Sequence, residues 1–329
     1  MYDIWYVSCH GFGHITRSLA QLEKKLDENS NFKCIIVSGE KQIEFAKLYF
    51  KDYYDRVIFR EILTDVGLIN KKNSLDVDKE LLEIKLKDFI SKWDKLVEEE
   101  INFLKDYHLG DIFCDISPIG ILVSKNLKKK INLISNFTWY QQYSYLNLDS
   151  EITQKYLELD EMIDNLYLYP LNLDFSYISP KIIKMDFISR KISIKKVEEI
   201  KVQYGKSIFI SCGKSAQIDE ITISNFKGTV FTTSGVKVKN IDGKVLELPV
   251  DILDTQNYIA ASDFIIAKAG WGTVAEAVCA ETPMILLERE GVLEDTHIIG
   301  LAKEKFGAKS IKLKELIYFD YNKVKRNRR

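Results

Sequence analysis

The chain predicts an α/β protein built from two doubly wound, Rossmann-like domains facing each other across a cleft, and three observations lead there. At 329 residues it exceeds what one hydrophobic core usually serves, so two domains of roughly 150 residues each are expected. Short, almost unbroken apolar runs alternate with amphipathic segments, as strands buried on both faces of a parallel sheet require. The alternation breaks once, after Pro170 and through Pro180, and then starts again. The domains are accordingly placed at residues 1–185 and 186–329, joined near 180–190.

In the first domain the strand-like runs are DIWYVS (3–8), KCIIVS (33–38), RVIFREI (56–62), DIFCDI (111–116) and INLISN (131–136). Helical patterns fill the intervals, most clearly in the long charged segment 78–107, where Leu81, Leu82, Ile84, Leu86, Phe89, Ile90 and Trp93 recur at helical spacing. The second domain repeats the scheme with SIFISC (207–212), GTVFTTS (228–234), KVLELP (244–249), DFIIAK (263–268), PMILLE (283–288) and AKSIKL (308–313). Helices are expected between them at 215–226, 254–261, 273–281 and 293–306. In such sheets ligands sit at the carboxyl ends of the strands.

Composition removes several function classes. A net charge of -1 argues against a nucleic-acid partner, because phosphate backbones call for a basic excess. Five cysteines without a C-x-x-C pair encode neither a disulfide framework nor a zinc site, which suits a cytoplasmic protein. No apolar run reaches the ~18 residues that a membrane span needs. Two basic stretches, NLKKKINLI (126–134) and KVKRNRR (323–329), would allow at most weak peripheral contact with anionic lipid.

Two glycine turns carry the chemistry. In SCHGFGHITRS (8–18), Gly11 and Gly13 directly follow the first strand and precede a helix expected near Ile15 or Thr16, a place where free N–H groups favour an anion. Thr16 occupies the third glycine position of the dinucleotide fingerprint, which weakens a nicotinamide reading. His14 is the candidate for proton transfer, while His10 and Cys9 read as structural. Asp115, ending the DIFCDI strand, can orient His14 or cap the helix begun at Pro118. In AKAGWGTVAEAV (267–278), Gly270 and Gly272 lead into a helix in which Thr273 and Glu276 have the T-x-x-E spacing of a capping box.

These segments, with LEREGVLEDTHIIGLAKEKFGA (287–308), resemble the matching parts of GT-B glycosyltransferases. Within that fold they resemble the family 28-like group that holds the peptidoglycan N-acetylglucosaminyl transferase. CHGFGHITR, NFTWYQQY (136–143) and YIAASDFIIAKAGWGTVAEA (258–277) are also similar to the glycosyltransferase-like N-terminal domain of plant L-arabinokinases. The resemblance runs in order along essentially the whole chain.

The resemblance implies a nucleotide-diphospho-sugar donor, by family default a UDP-sugar, bound by the second domain. Gly270, Gly272 and Thr273 would meet the diphosphate, with Gly213, Lys214 and Ser215 at the other turn of that domain, and Glu276 the ribose. A carboxylate suits a diol because it accepts two hydrogen bonds. Glu294 and Asp295 fall where such enzymes touch the donor sugar, with Glu-Asp replacing the family's D/E-Q pair; an acidic first helical turn accounts for them equally. Gly11 and Gly13 would face the same ligand. Trp139 and Tyr140 offer aromatic faces for a sugar, lipid-linked or small-molecule acceptor, or else pack in the core. No D-x-D motif stands in a plausible donor loop, so neither a metal nor any other cofactor is expected, and the outcome would be inverting. Two other classes remain open: a nucleotide-sugar hydrolase of the pseudaminic-acid-pathway type, with water as acceptor, and a non-catalytic nucleotide-sugar-binding module.

Overall fold

The computed structural model describes residues 1–71, 74–212 and 218–326. It divides into two compact units: residues 1–69 with 78–187, and residues 70–77 with 188–329. The short excursion 70–77 therefore belongs with the second unit although it lies inside the 1–185 span. Leu75 explains this, because it is buried in the core of the second unit among Ile208, Ile210, Phe264 and Ile266.

The first unit runs β1 (Tyr2–Val7), α1 (Gly13–Glu28), β2 (Cys34–Ser38), α2 (Glu40–Tyr49), β3 (Val57–Glu61), α3 (Lys79–Ile90), α4 (Trp93–Leu104), β4 (Leu109–Asp115), α5 (Pro118–Asn126), β5 (Asn132–Ser135), α6 (Trp139–Tyr145), α7 (Ser150–Asp160), β6 (Asn165–Leu168) and β7 (Lys181–Lys184). Its seven strands are all parallel, in the order β3-β2-β1-β4-β5-β6-β7. Winding reverses between β1 and β4, so a crevice opens at their carboxyl ends. The apolar runs behave as their composition demands: Ile4, Tyr6, Ile35, Ile36, Ile112 and Cys114 are all fully buried. The charged segment 78–107 forms two helices rather than one, broken at Ser91 and Lys92.

The second unit continues with α8 (Ile194–Tyr204), β8 (Ser207–Ser211), β9 (Ile218–Ser224), β10 (Thr229–Thr232), β11 (Val236–Asn240), β12 (Lys244–Glu247), α9 (Thr255–Ala261), β13 (Phe264–Lys268), α10 (Trp271–Cys279), β14 (Met284–Glu288), α11 (Leu293–Phe306), β15 (Lys309–Lys312), α12 (Leu313–Leu316), β16 (Tyr318–Asp320) and α13 (Tyr321–Arg326). Six parallel strands are ordered β12-β10-β8-β13-β14-β15, with the reversal between β8 and β13. A separate three-stranded sheet has the order β11-β9-β16.

That small sheet corrects the helix expected at 215–226 over its described part; residues 215–217 lie outside the described residues. Ile221, Thr222 and Ile223 are β-branched and stiff at χ1, and Ile221 and Ile223 bury completely, so the segment pairs as a strand. Both glycine turns also enter their helices two residues earlier than the pattern suggests, at Gly13 and at Trp271. Among the described residues no helix is long and apolar enough to cross a membrane. Of the basic run 128–130, Lys129 donates to the carbonyls of Leu109 and Gly110, which ties it into the fold.

Candidate functional site

The first turn is set by backbone geometry. Gly11 adopts φ 63, a left-handed conformation that an L side chain resists, and this lets the chain leave β1 and enter α1 within a few residues. Phe12 stands at the N-cap and gives α1 no side-chain cap. His14, Arg17 and Ser18 fall on one helix face, and that face meets the end of β4, the strand across the topological switch.

Asp115 is the centre of this cluster, with 1% of its surface exposed. Arg17 grips both carboxylate oxygens, Nε to Oδ2 at 2.8 Å and Nη2 to Oδ1. Ser18 Oγ donates to Oδ2 at 3.1 Å, and His14 Nδ1 lies 2.8 Å from Oδ1. Burial alone would raise the Asp115 pKa, but the charge and hydrogen bonds of Arg17 and His14 outweigh it and hold the carboxyl well below the usual range. Arg17 Nη1 also donates to Asn136 Oδ1 at 2.8 Å. The neighbouring Ile116 sits at φ 49, an outlier for a β-branched residue, so the turn after Asp115 is strained.

Two partners compete for His14 Nδ1, since Arg17 Nη2 is 2.9 Å away. If Nδ1–H donates to Asp115, Nε2 keeps its lone pair and can accept a proton; if Arg17 donates to Nδ1, Nε2 carries the proton and becomes a donor. Either way Nε2 is the ring atom without a hydrogen bond to a described residue. The helix-capping alternative for Asp115 falls away, because Ser117 caps α5 by accepting from Gly120 N.

His10 and Cys9, read as structural, are both held by contacts within the first unit. The His10 ring lies so close to Gly67 that a Cβ there would stand 2.0 Å from Nδ1, and it meets Trp139 edge-on. Cys9 bonds Thr64 and Asp65, and burial raises its thiol pKa. Trp139 is itself buried, stacked on Tyr143 and donating Nε1–H to Asp65 Oδ2 at 2.9 Å, so core packing accounts for it. Tyr140 is half-buried beside Tyr177.

The second turn has a different character. Gly270 is the N-cap of α10 and offers no side-chain cap, so Thr273 is the third helical residue and the capping box does not form. Glu276 turns instead to Arg190: Nε and Nη2 approach the same oxygen, Oε1, at 2.9 and 2.7 Å. Lys268 ends β13 immediately before the turn and makes no hydrogen bond or ion pair with a described residue. Burial and the nearby Arg289 push its pKa down to about 8, against the pull of Asp295, Cys212 and Glu294. Asp295 is fully buried and gripped through both oxygens by Arg289, at 2.5 and 2.6 Å, whereas Glu294 is part-exposed on the first turn of α11. Gly213, Lys214 and Ser215 lie outside the described residues.

Four charged residues of these two turns and their surroundings escape a reading of the sequence. Arg17 and Lys268 carry a local signal, the one three residues beyond His14 and the other next to the glycine turn. Arg190 and Arg289 find their partners only through the fold.

No protein-family model matches the chain. It is 22% identical over 322 residues to the L-arabinokinase of Arabidopsis thaliana, covering 89% of this chain but only 29% of that protein's length. It is 25% identical over 331 residues to an uncharacterized glycosyltransferase of Methanosarcina mazei, covering 91% of this chain and 83% of the relative. Arabidopsis thaliana UGT89C1, solved complexed with UDP-L-rhamnose, superposes with a TM-score of 0.63 at 11% identity over 94% of this chain and 84% of its own. The calicheamicin glycosyltransferase CalG4 gives 0.63 at 8% identity over 96% and 87%. The chain has the GT-B fold. Acinetobacter baumannii MurG shares it less closely, at a TM-score of 0.51 and 14% identity over 95% and 87%. In this fold the two glycine turns stand at the switch points of the two sheets, β1/β4 and β8/β13.

Proposed function

We propose that this GT-B protein is a glycosyltransferase that moves a sugar from a nucleotide-diphospho-sugar, a UDP-sugar, to a hydroxyl acceptor with inversion and without a metal. The observation that carries the reading is the His14–Asp115 contact of 2.8 Å at the switch point of the first sheet. The names of the two relatives, and the UDP-sugar held by a structural neighbour, support it.

With Nδ1–H donated to Asp115, His14 Nε2 takes the proton of the acceptor hydroxyl while its oxygen bonds to the anomeric carbon. The bond from that carbon to the diphosphate oxygen breaks on the opposite face, and the electron pair leaves with the nucleoside diphosphate. The free N–H groups of the α10 N-terminus at Gly270, Gly272 and Thr273, together with the Lys268 ammonium, stabilise the negative charge that develops. Glu276 Oε2 accepts from the ribose hydroxyls. Glu294 meets the sugar, and Asp295 acts through Arg289 rather than by touching it. The five cysteines are all free, in keeping with a reducing, cytoplasmic setting.

Labelled UDP-sugars incubated with and without a pool of hydroxyl acceptors test the proposal. Acceptor-dependent release of the nucleotide with transfer of label is the expected outcome. Release that needs only water identifies a hydrolase, and binding without turnover a non-catalytic module; either result replaces the proposal.

A further inference from the structure

Among the described residues, three arginine–carboxylate pairs have both side chains less than a tenth exposed, and one is built differently from the others. Arg17 engages both oxygens of Asp115, and Arg289 both oxygens of Asp295. Arg190 approaches Glu276 end-on, with Nε and Nη2 both at Oε1. Oε2 makes no hydrogen bond to a described residue, although Glu276 is only 6% exposed. Oε2 is not one of the enclosed polar atoms that lack a partner; it lies open to solvent, although rotating the same guanidinium could have covered it.

What prevents that rotation is visible. Arg190 Nη1 donates to the Leu253 carbonyl at 2.6 Å and Nη2 to Thr255 Oγ1 at 2.8 Å. Leu253 and Thr255 flank the N-cap of α9, so the guanidinium is pinned to the start of one helix while it holds the carboxylate of another. The planar fork of arginine allows this double duty and a lysine ammonium does not.

We propose that Arg190 is a positioning residue for nucleotide recognition: it fixes Glu276 through Oε1 and leaves Oε2 aimed at the vicinal diol of a ribose. The inference rests on the reading of the α10 turn as the donor site. A diol offers two adjacent O–H donors, and one carboxylate oxygen has the lone pairs to receive both. The arginine has a second effect. It cancels the charge of Glu276, which would otherwise repel a nearby diphosphate.

The test compares uridine, adenosine, guanosine and cytidine diphosphates with their 2′,3′-dideoxy counterparts, by dissociation constant, on the whole chain. Wild type is expected to prefer the tightest ribonucleotide over its dideoxy form by roughly 10- to 100-fold, the range for a hydrogen bond to a charged group. Glu276→Gln should bring that ratio to about 2 or less. Arg190→Gln should do the same, and Arg190→Lys should give an intermediate ratio, each with the loss confined to the ribonucleotide. A merely structural arginine would lower the melting temperature and leave the ratio alone. Should either Arg190 variant fail to fold, Thr255→Val removes one anchor of the guanidinium and should reduce the ratio by a smaller factor. Folded Arg190 and Thr255 variants with the wild-type ratio, beside a Glu276→Gln protein that has lost it, overturn the role of Arg190 while the ribose reading stands. A wild-type ratio near one, or no nucleotide binding at all, overturns both.

Discussion

The turn after β1 and the turn after β13 have the same plan, a parallel strand, a glycine turn and a helix without a side-chain cap, yet they distribute charge in opposite ways. In the first, the protein closes its own electrostatics: Asp115 receives Arg17, Ser18 and His14, and only the Nε2 edge of the imidazole is left. In the second, two groups stay open among the described residues, the Lys268 ammonium and Glu276 Oε2. A polar group satisfied by the protein holds the scaffold together, whereas one left open at a helix start is available to water or a ligand. On the function proposed above, the contrast fits chemistry at the first turn and binding at the second.

The most direct way to break that division is His14→Ala. Turnover should fall by roughly 10²- to 10⁴-fold with donor affinity nearly unchanged, as loss of a general base predicts. Single-turnover rates and nucleotide-sugar dissociation constants measured on the same variant decide the matter. An effect mainly on affinity would mean that Arg17 donates to Nδ1 and His14 works as an Nε2–H donor to the ligand, so both turns would be binding turns. His10→Ala should do far less, because its ring is packing against Gly67 and Trp139.

Removing the cation that closes the first turn sharpens the same comparison through stability. Arg17→Met strands Asp115 in the interior, and breaking such a buried pair costs about 3–5 kcal/mol. Denaturant unfolding should show the loss, and Arg17→Met with Asp115→Asn should recover much of it. Equal stability of Arg17→Met and wild type would show that the pair is not holding the turn.

Much of this architecture is legible in the amino-acid sequence. The parallel sheets announce themselves because strands buried on both faces have no room for polar residues, and helix 293–306 appears where its pattern puts it. Topology also makes Asp115 visible, since a carboxylate at the carboxyl end of a strand next to the first has only the crevice to point into. The strands that escape are short or polar: Lys181–Lys184 and Val236–Asn240 carry lysines on their faces and look like loop. Strand Ile218–Ser224 is hidden by its position, where strict alternation calls for a helix. Ion pairs are the least legible of all. Nothing local in the sequence joins Arg190 to Glu276, because a salt bridge between distant positions is a product of packing and leaves no periodicity.

The open lysine of the second turn gives a pH-dependent test. Its pKa of about 8 lies below the ordinary 10.5, so between those values the unfolded chain binds more protons than the folded one, and stability rises with pH across that window. Below about 8 the folded protein carries a charged ammonium that its part-buried site partly strips of water. Lys268→Met should therefore melt higher than wild type at neutral pH without ligand, and the difference should shrink at alkaline pH. The same variant should bind nucleoside diphosphates roughly 10- to 100-fold more weakly. Wild-type affinity should fall as pH rises through about 8, and the variant's should not. If Lys268→Met keeps full affinity, the ammonium serves some purpose other than the diphosphate, and the open character of the second turn rests on Glu276 alone.

The smallest expected effects come from the glycines themselves, and they separate the two turns most cleanly. Gly11 stands at φ 63 with open space around its Cα, so Gly11→Ala meets no neighbour but forces an alanine into the left-handed region, at about 1–2 kcal/mol. Gly270 has φ -64 and equally open space, so alanine fits there without strain and slightly reduces the freedom of the unfolded chain. Gly270→Ala should leave the melting temperature unchanged or raise it, whereas Gly11→Ala should lower it. Open space without strain is a position that the fold does not need to keep empty, and a glycine there has a use only if something approaches from outside. A diphosphate on the α10 N-terminus would supply that approach, so Gly270→Ala should weaken nucleotide binding in a protein that is otherwise intact. A Gly270→Ala protein with wild-type affinity would place the ligand away from the helix start, and the likeness between the two turns would then be one of backbone alone.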